Sequence, residues 1–202
     1  LAPLPVVVPL PTVLPLPNRP DTFVVRGRGT EVPLVVGRIE AGVVTWVVSD
    51  DSPAWGEITA ATFLGDDLWV TSSYTPHRLW RCTIAADGKA ACVEKGNFPH
   101  GHANGTLFAV PPGSCDHPEG ALLDLDAPED DAPATELHDA HLYDVKTNTW
   151  TIVPRPTRER RELSQVIRLR DGRALFVGGQ DAVDSLASTE IFDGKGITAG
   201  PT

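Results

Sequence analysis

Four short stretches between residues 140 and 193 decide how this chain folds. They are Ala140-His141-Leu142-Tyr143-Asp144, Asn148-Thr149-Trp150, Asp171-Gly172-Arg173-Ala174-Leu175-Phe176-Val177-Gly178-Gly179 and Ser188-Thr189-Glu190-Ile191-Phe192-Asp193. In order they give an apolar strand, a polar turn, a Trp-bearing strand, an Arg-rich link, a long strand, a strand ending in Gly-Gly and a further strand. Alternation of period two and turns built on Asp, Asn and Gly are the signals of an antiparallel meander. Gly-Gly at a strand end permits close backbone approach and dihedrals closed to other residues.

Looser copies of this pattern occupy the rest of the chain. Residues 58–64, a Gly65-Asp66-Asp67 turn and residues 68–73 parallel 163–169, the Arg170-Asp171-Gly172 turn and 174–179, so Ser72-Ser73 stands where Gly178-Gly179 stands. Residues 104–112 read as a third copy with Pro111-Pro112 in the Gly-Gly place. Strands are expected at 22–26, 32–38, 43–48, 78–84 and 90–94. Ile39 and Trp46 are seven residues apart, as are Tyr143 and Trp150. Trp46, Trp69, Trp80, Trp150, Phe108 and Phe176 are the expected filling between sheets.

Tyr143, Trp150, Gly178 and Gly179 at these separations resemble the kelch repeat, in a degenerate, bacterial-type form. The resemblance is fullest over 140–193, partial over 54–112 and faint before 50. It implies an all-β fold, a β-propeller of four-stranded antiparallel blades. About four repeats of roughly 50 residues are visible, within the range of known rings, and they read as part of a larger one. The expected blades are 21–50, 51–97, 98–156 and 157–202. Residues 1–20 are a Pro-rich apolar arm or a worn first strand, because Pro at this density removes the donors a helix or central strand needs. An acidic, Pro- and Gly-rich insertion is expected at 113–137, on a loop face shared with the links between blades. In the kelch family that face often binds partners.

Composition bounds the function. The chain has 202 residues, 41% hydrophobic, with 18 Gly and 19 Pro cutting it into short segments. Seventeen basic and 27 acidic residues give a net charge of −10, which repels phosphate backbones and argues against nucleic-acid partners. No apolar run reaches the roughly 18–20 residues of a membrane-spanning helix. The sequence begins at Leu1 and contains no Met, which points to a removed leader or a piece of a longer chain.

Of three cysteines, Cys82 and Cys92 flank the turn signal Asp87-Gly88. A three-residue loop 86–88 with Gly88 in the left-handed region sets residue 82 opposite residue 92, and a disulfide there would be worth about 2–3 kcal/mol. Such a bond implies an oxidising compartment: secreted, periplasmic or cell-surface. The competing reading is two buried thiols in a reducing one. Cys115 is left over.

Candidate chemistry concentrates in the second half of the chain. Five of the six histidines are His100, His102, His117, His138 and His141. His100 and His102 point one way on an extended segment, and Glu136, His138, Asp139 and His141 are suited to complete a divalent-metal shell; no zinc-motif spacing is present, and the alternative is ordinary polar residues of a solvated loop and strand edge. Asp124, Asp126, Glu129, Asp130 and Asp131 crowd into eight residues and read as a solvated acidic loop open to a basic partner. They lack the spacing of an EF-hand. Arg155, Arg158, Arg160 and Arg161 form the one basic cluster, suited to pairing with the acidic insertion or clamping a partner's carboxylate. The copper radical oxidases within the kelch resemblance need paired tyrosines, and only Tyr74 and Tyr143 are present.

The sequence therefore favours a non-catalytic protein-binding or structural scaffold module without a cofactor, a subunit of a larger extracytoplasmic assembly whose partners are other protein chains. The alternative is a propeller-based enzyme or carbohydrate-binding protein with a metal site on the loop face.

Overall fold

The computed structural model describes residues 3–6, 8, 12–27, 33–49, 58–72, 78–97, 102–128, 140–155, 165–179 and 185–201. Among them are sixteen strands: β1 (Thr12–Leu16), β2 (Arg19–Arg26), β3 (Val35–Glu40), β4 (Val43–Val48), β5 (Ile58–Leu64), β6 (Asp67–Ser72), β7 (Arg78–Ile84), β8 (Ala90–Asn97), β9 (His102–Val110), β10 (Ala121–Pro128), β11 (Ala140–Asp144), β12 (Thr149–Val153), β13 (Gln165–Arg168), β14 (Ala174–Val177), β15 (Thr189–Phe192) and β16 (Ile197–Ala199). They form four antiparallel four-stranded sheets, β1–β4, β5–β8, β9–β12 and β13–β16, each with its strands in sequence order. The chain divides into two compact units, one carrying the first two sheets and the other the last two.

In the first unit, alternation assigns the two faces of sheet β1–β4. Val24, Val36 and Val47 are direct cross-strand neighbours. With Leu14, Leu16 and Leu34 they pack against Leu68, Val70, Trp80, Cys82, Ile84 and Ala90 of sheet β5–β8. On the opposite face Phe23, Gly37 and Trp46 make a row. The two rings meet edge to face at 5.5 Å over the glycine, where a Cβ would lie 2.4 Å from Phe23 Cζ. Gly37 is thus the gap into which two aromatic rings fit.

Residues 12–16 belong to the first sheet as its edge strand, as in the worn-first-strand reading of 1–20, so the sheet begins before the blade start expected at 21. Pro15 pairs with Phe23 there, and a proline is tolerated because an edge strand needs no second row of donors. The seven-residue analogy between Ile39/Trp46 and Tyr143/Trp150 does not hold. Tyr143 and Trp150 are direct partners, their ring centroids 5.0 Å apart. Trp46 instead faces Gly37, and Ile39 faces Val44. The reason is turn length. Ala41 and Gly42, both at positive φ, close β3–β4 with a two-residue loop, whereas β11 and β12 are joined through residues 145–148.

In the second unit, Phe108, Val110, Ala121, Leu123, Leu125, Ala140, Leu142 and Val153 meet Ala174, Phe176, Phe192 and Ile197 in one core. Two expectations are corrected here. Residues 107–110 lie in the first strand of their sheet, not the second, so Pro111-Pro112 opens the β9–β10 connection and is no counterpart of Gly178-Gly179. The segment 113–137 is not a loop throughout. Its residues 121–128 are β10, a central strand paired on both sides. Because β10 is the second strand, residues 111–120 share an end of the sheet with the β11–β12 turn, opposite to the end expected. Gly178 and Gly179 do take the positive φ values, 60° and 102°, that their place at a strand end called for.

Candidate functional site

Of the charged residues singled out from the sequence, Asp124 and Asp126 lie on β10 and Arg155 just after β12. Asp124 sits in β10 directly opposite His141 of β11, and both are buried, at 1% and 3% exposure. Burial pushes the Asp124 carboxyl up to about 8, so near neutrality it holds its proton. This corrects the reading of Asp124 as a solvated loop carboxylate. Alternation places Ala121, Leu123 and Leu125 in the core and turns Leu122 and Asp124 to the other face, a signal the pattern Ala-Leu-Leu-Asp-Leu already contained.

Arg155, expected on a blade link and suited to pairing with a carboxylate, is likewise buried. Its Nε and Nη2 donate to Glu190 Oε2 at 3.1 and 2.5 Å, and both side chains are fully shielded. Among the described residues, the carboxylate it holds is that of Glu190. Glu190 lies in β15, so the pair ties the chain just after β12 to the neighbouring sheet of the same unit.

His102 and Asp126 lie on the described backbone of β9 and β10. His102 is opposite Pro128, four residues along β10 from the partner of His141, which is about 13 Å. The strands therefore do not bring His102 and His141 together. His100, Glu136, His138, Asp139, Arg158, Arg160, Arg161, Glu129, Asp130 and Asp131 lie outside the described residues. Among the described residues no three His, Cys, Asp or Glu side chains form a metal-sized group.

Cys82 and Cys92 are joined in a disulfide, with Cα atoms 4.0 Å apart. The hairpin beneath them has the expected turn: Ala85 N donates to Lys89 O, Gly88 N donates to Ala85 O, and Gly88 has φ +87°. The bond suits an oxidising environment. No helix among the described residues is long and apolar enough to cross a membrane.

Cys115 lies in the β9–β10 connection. Its neighbours come from two other turns of the unit: Asp171 and Arg173 from β13–β14, and Asp193 and Gly194 from β15–β16. His117 Nε2 donates to Gly194 O at 2.8 Å, since a carbonyl can only accept, and its Nδ1 is 3.8 Å from Asp144 Oδ2. Lys195 Nζ meets Asp116 Oδ2 at 2.5 Å. Burial, then Asp193, Asp171 and Asp116, raise the Cys115 thiol, which keeps it protonated and a poor nucleophile.

A concave feature that the sequence did not announce lies in the first unit. It has a volume of about 240 Å³ and is lined by Arg19, Thr22, Arg38 and Glu40, by Val36 and Val47, and by the 86–88 turn. Its one sequence trace is the alternation Arg38-x-Glu40, which puts both side chains on one face of β3.

These sheets define an all-β chain of four antiparallel four-stranded meanders, consistent with a propeller-like arrangement. No known protein family matches it, and no curated protein is similar to it. Among solved structures it resembles that of YjhT, with a TM-score of 0.66 at 13% identity. The match covers 98% of this chain and 66% of YjhT, so the chain spans about two thirds of that neighbour's length. At that identity the likeness is one of fold.

Proposed function

We propose that this chain is a kelch-like propeller module that binds other protein chains as a non-catalytic, structural part of an extracytoplasmic assembly. One observation carries the reading. Edge strands leave β-branched apolar side chains open to solvent: Val13 on β1, Val43 on β4, Val93 on β8, Ile152 on β12 and Ile167 on β13, each 43–59% exposed. An edge strand with unpaired backbone groups and an apolar side chain is a template for another chain. The kelch part of the reading is supported by the Tyr143–Trp150 pair and by the positive φ of Gly178 and Gly179. The Cys82–Cys92 disulfide supports export.

The test is the native mass and copurifying partners of the protein, with crosslinks mapped by mass spectrometry. Stable partner chains crosslinked along the edge strands are the expected result. A monodisperse monomer without partners would refute the scaffold reading, and stoichiometric copper or zinc in the native material would turn it towards an enzyme.

A further inference from the structure

The groove in the first unit arises where sheet-on-sheet packing gives out. The apolar row Val24–Val36–Val47 faces sheet β5–β8, and the next row along the same face is Thr22–Arg38–Thr45. One end is closed by the β7–β8 turn, which is seated closely: a Cβ on Gly88 would lie 3.0 Å from Val47 Cγ2 and 3.6 Å from Val36 Cγ1. The turn belongs to the hairpin clamped by Cys82–Cys92, and Arg19 ties it down by donating from Nη2 to Ile84 O at 2.5 Å and from Nη1 to Ala85 O at 2.9 Å. The walls are thus fixed before any ligand arrives, which lowers the ordering cost of binding.

The lining selects a chemistry. Two arginines, Arg19 and Arg38, and two carboxylates, Glu40 and Asp87, line the groove. Arg38 Nε already lies 3.4 Å from Asp21 Oδ2 and 3.1 Å from Glu40 Oε1. Both guanidinium groups are already held, Arg38 by Asp21 and Glu40 and Arg19 by the Ile84 and Ala85 carbonyls, and Asp87 Oδ1 already accepts from Lys89 N. What the groove offers is a ring of hydrogen-bond donors and acceptors, with the Thr45 hydroxyl, beside the partly buried Val47; Val36 and Thr22 form its buried floor. A ligand whose hydroxyls donate and accept and whose ring carries a C–H face fits that pattern. We propose that the groove between β2–β4 and the β7–β8 turn is a binding site for a neutral hexopyranose. The site is built within one unit and does not rest on the sheets completing a propeller or on any protein partner.

The experiment is amide NMR titration of the whole chain with D-glucose, D-galactose and D-mannose, beside glycine and acetate as zwitterion and anion. The expected result is saturable shifts at Thr45 and at residues 86–88 with at least one hexose, tighter than with glycine or acetate. Arg38→Ala and Glu40→Ala should each weaken binding about tenfold or more, as loss of a hydrogen bond to a charged group does. Thr45→Val, which keeps volume and removes the hydroxyl, should weaken it less. Arg173→Ala, in the other unit, should leave it unchanged. Absence of saturable shifts with all three hexoses overturns the proposal. So does tighter binding of glycine or acetate at the same residues, or hexose binding that survives both Arg38→Ala and Thr45→Val. Both substituted side chains lie at the groove surface, and preserved amide dispersion checks the fold of each variant.

Discussion

Replacing Arg155 by alanine removes the guanidinium that holds a fully shielded Glu190 carboxylate and leaves that charge in the core of its unit. Two hydrogen bonds to one oxygen, at 3.1 and 2.5 Å, are lost together. Breaking a buried pair by removing one partner costs about 3–5 kcal/mol, because the remaining ion keeps its desolvation penalty and loses its compensation. For a domain of this size about 2–4 °C of Tm follows each kcal/mol, so the midpoint should fall by roughly 6–20 °C. Arg155→Lys keeps a charge but not the planar fork, and its loss should be smaller. The double variant Arg155→Met/Glu190→Leu removes both ions and should recover most of the stability, since apolar replacement of a buried pair is often neutral. Urea unfolding followed by tryptophan fluorescence and circular dichroism reads all four proteins. If Arg155→Ala loses less than about 1 kcal/mol, or the double variant is no better than the single one, the pair is not the buried brace described here.

Asp124 gives a pH dependence of definite sign. Its carboxyl, raised to about 8 by burial, keeps a proton in the folded chain that the unfolded chain releases above about pH 4. The resulting stabilisation is whole below that pH and is lost as pH rises through about 8. Asp124→Asn should flatten this slope in unfolding titrations and be the more stable form at pH 8, and equal slopes would contradict the assignment. Reduction of Cys82–Cys92, or the double serine variant, should cost roughly 2–3 kcal/mol and lower Tm, whereas an unchanged Tm under reductant would mean the bond does not constrain the unfolded chain. Gly194→Ala should cost about 2–4 kcal/mol, because its φ of +98° disfavours a side chain and the new Cβ would lie 1.9 Å from Cys115 Cβ; a neutral result would show that the β9–β10 connection yields freely. Gly37→Ala should cost about 1–3 kcal/mol by displacing the Phe23 and Trp46 rings, and near-ultraviolet circular dichroism would report the loss of their fixed geometry.

Where the determinants were local, the sequence carried them. Gly65-Asp66 and Asp171-Gly172 announce turns, and the strands on either side form as the period-two pattern requires. The Cys82–Cys92 bond was legible because both cysteines belong to one hairpin, whose register follows from the Gly88 turn. The sites were less legible. Asp124 looked like part of an acidic loop because Asp124, Asp126 and the carboxylates after them form one run of charge. Only its pairing with Leu107 on one side and His141 on the other shows that it is interior.

By itself, then, the sequence determined an all-β chain, most of its strands and turns, and the placing of Cys82 opposite Cys92, but not the strand β10. Alternation, glycine dihedrals and short loops act over a few residues and need no distant partner. The tertiary structure decided that Arg155 is spent on Glu190, 35 residues away, that Asp124 lies inside a sheet, and that Arg19, Arg38 and the 86–88 turn surround a groove. The energy of a charge is set by what surrounds it, and those surroundings exist only once strands distant in sequence have packed.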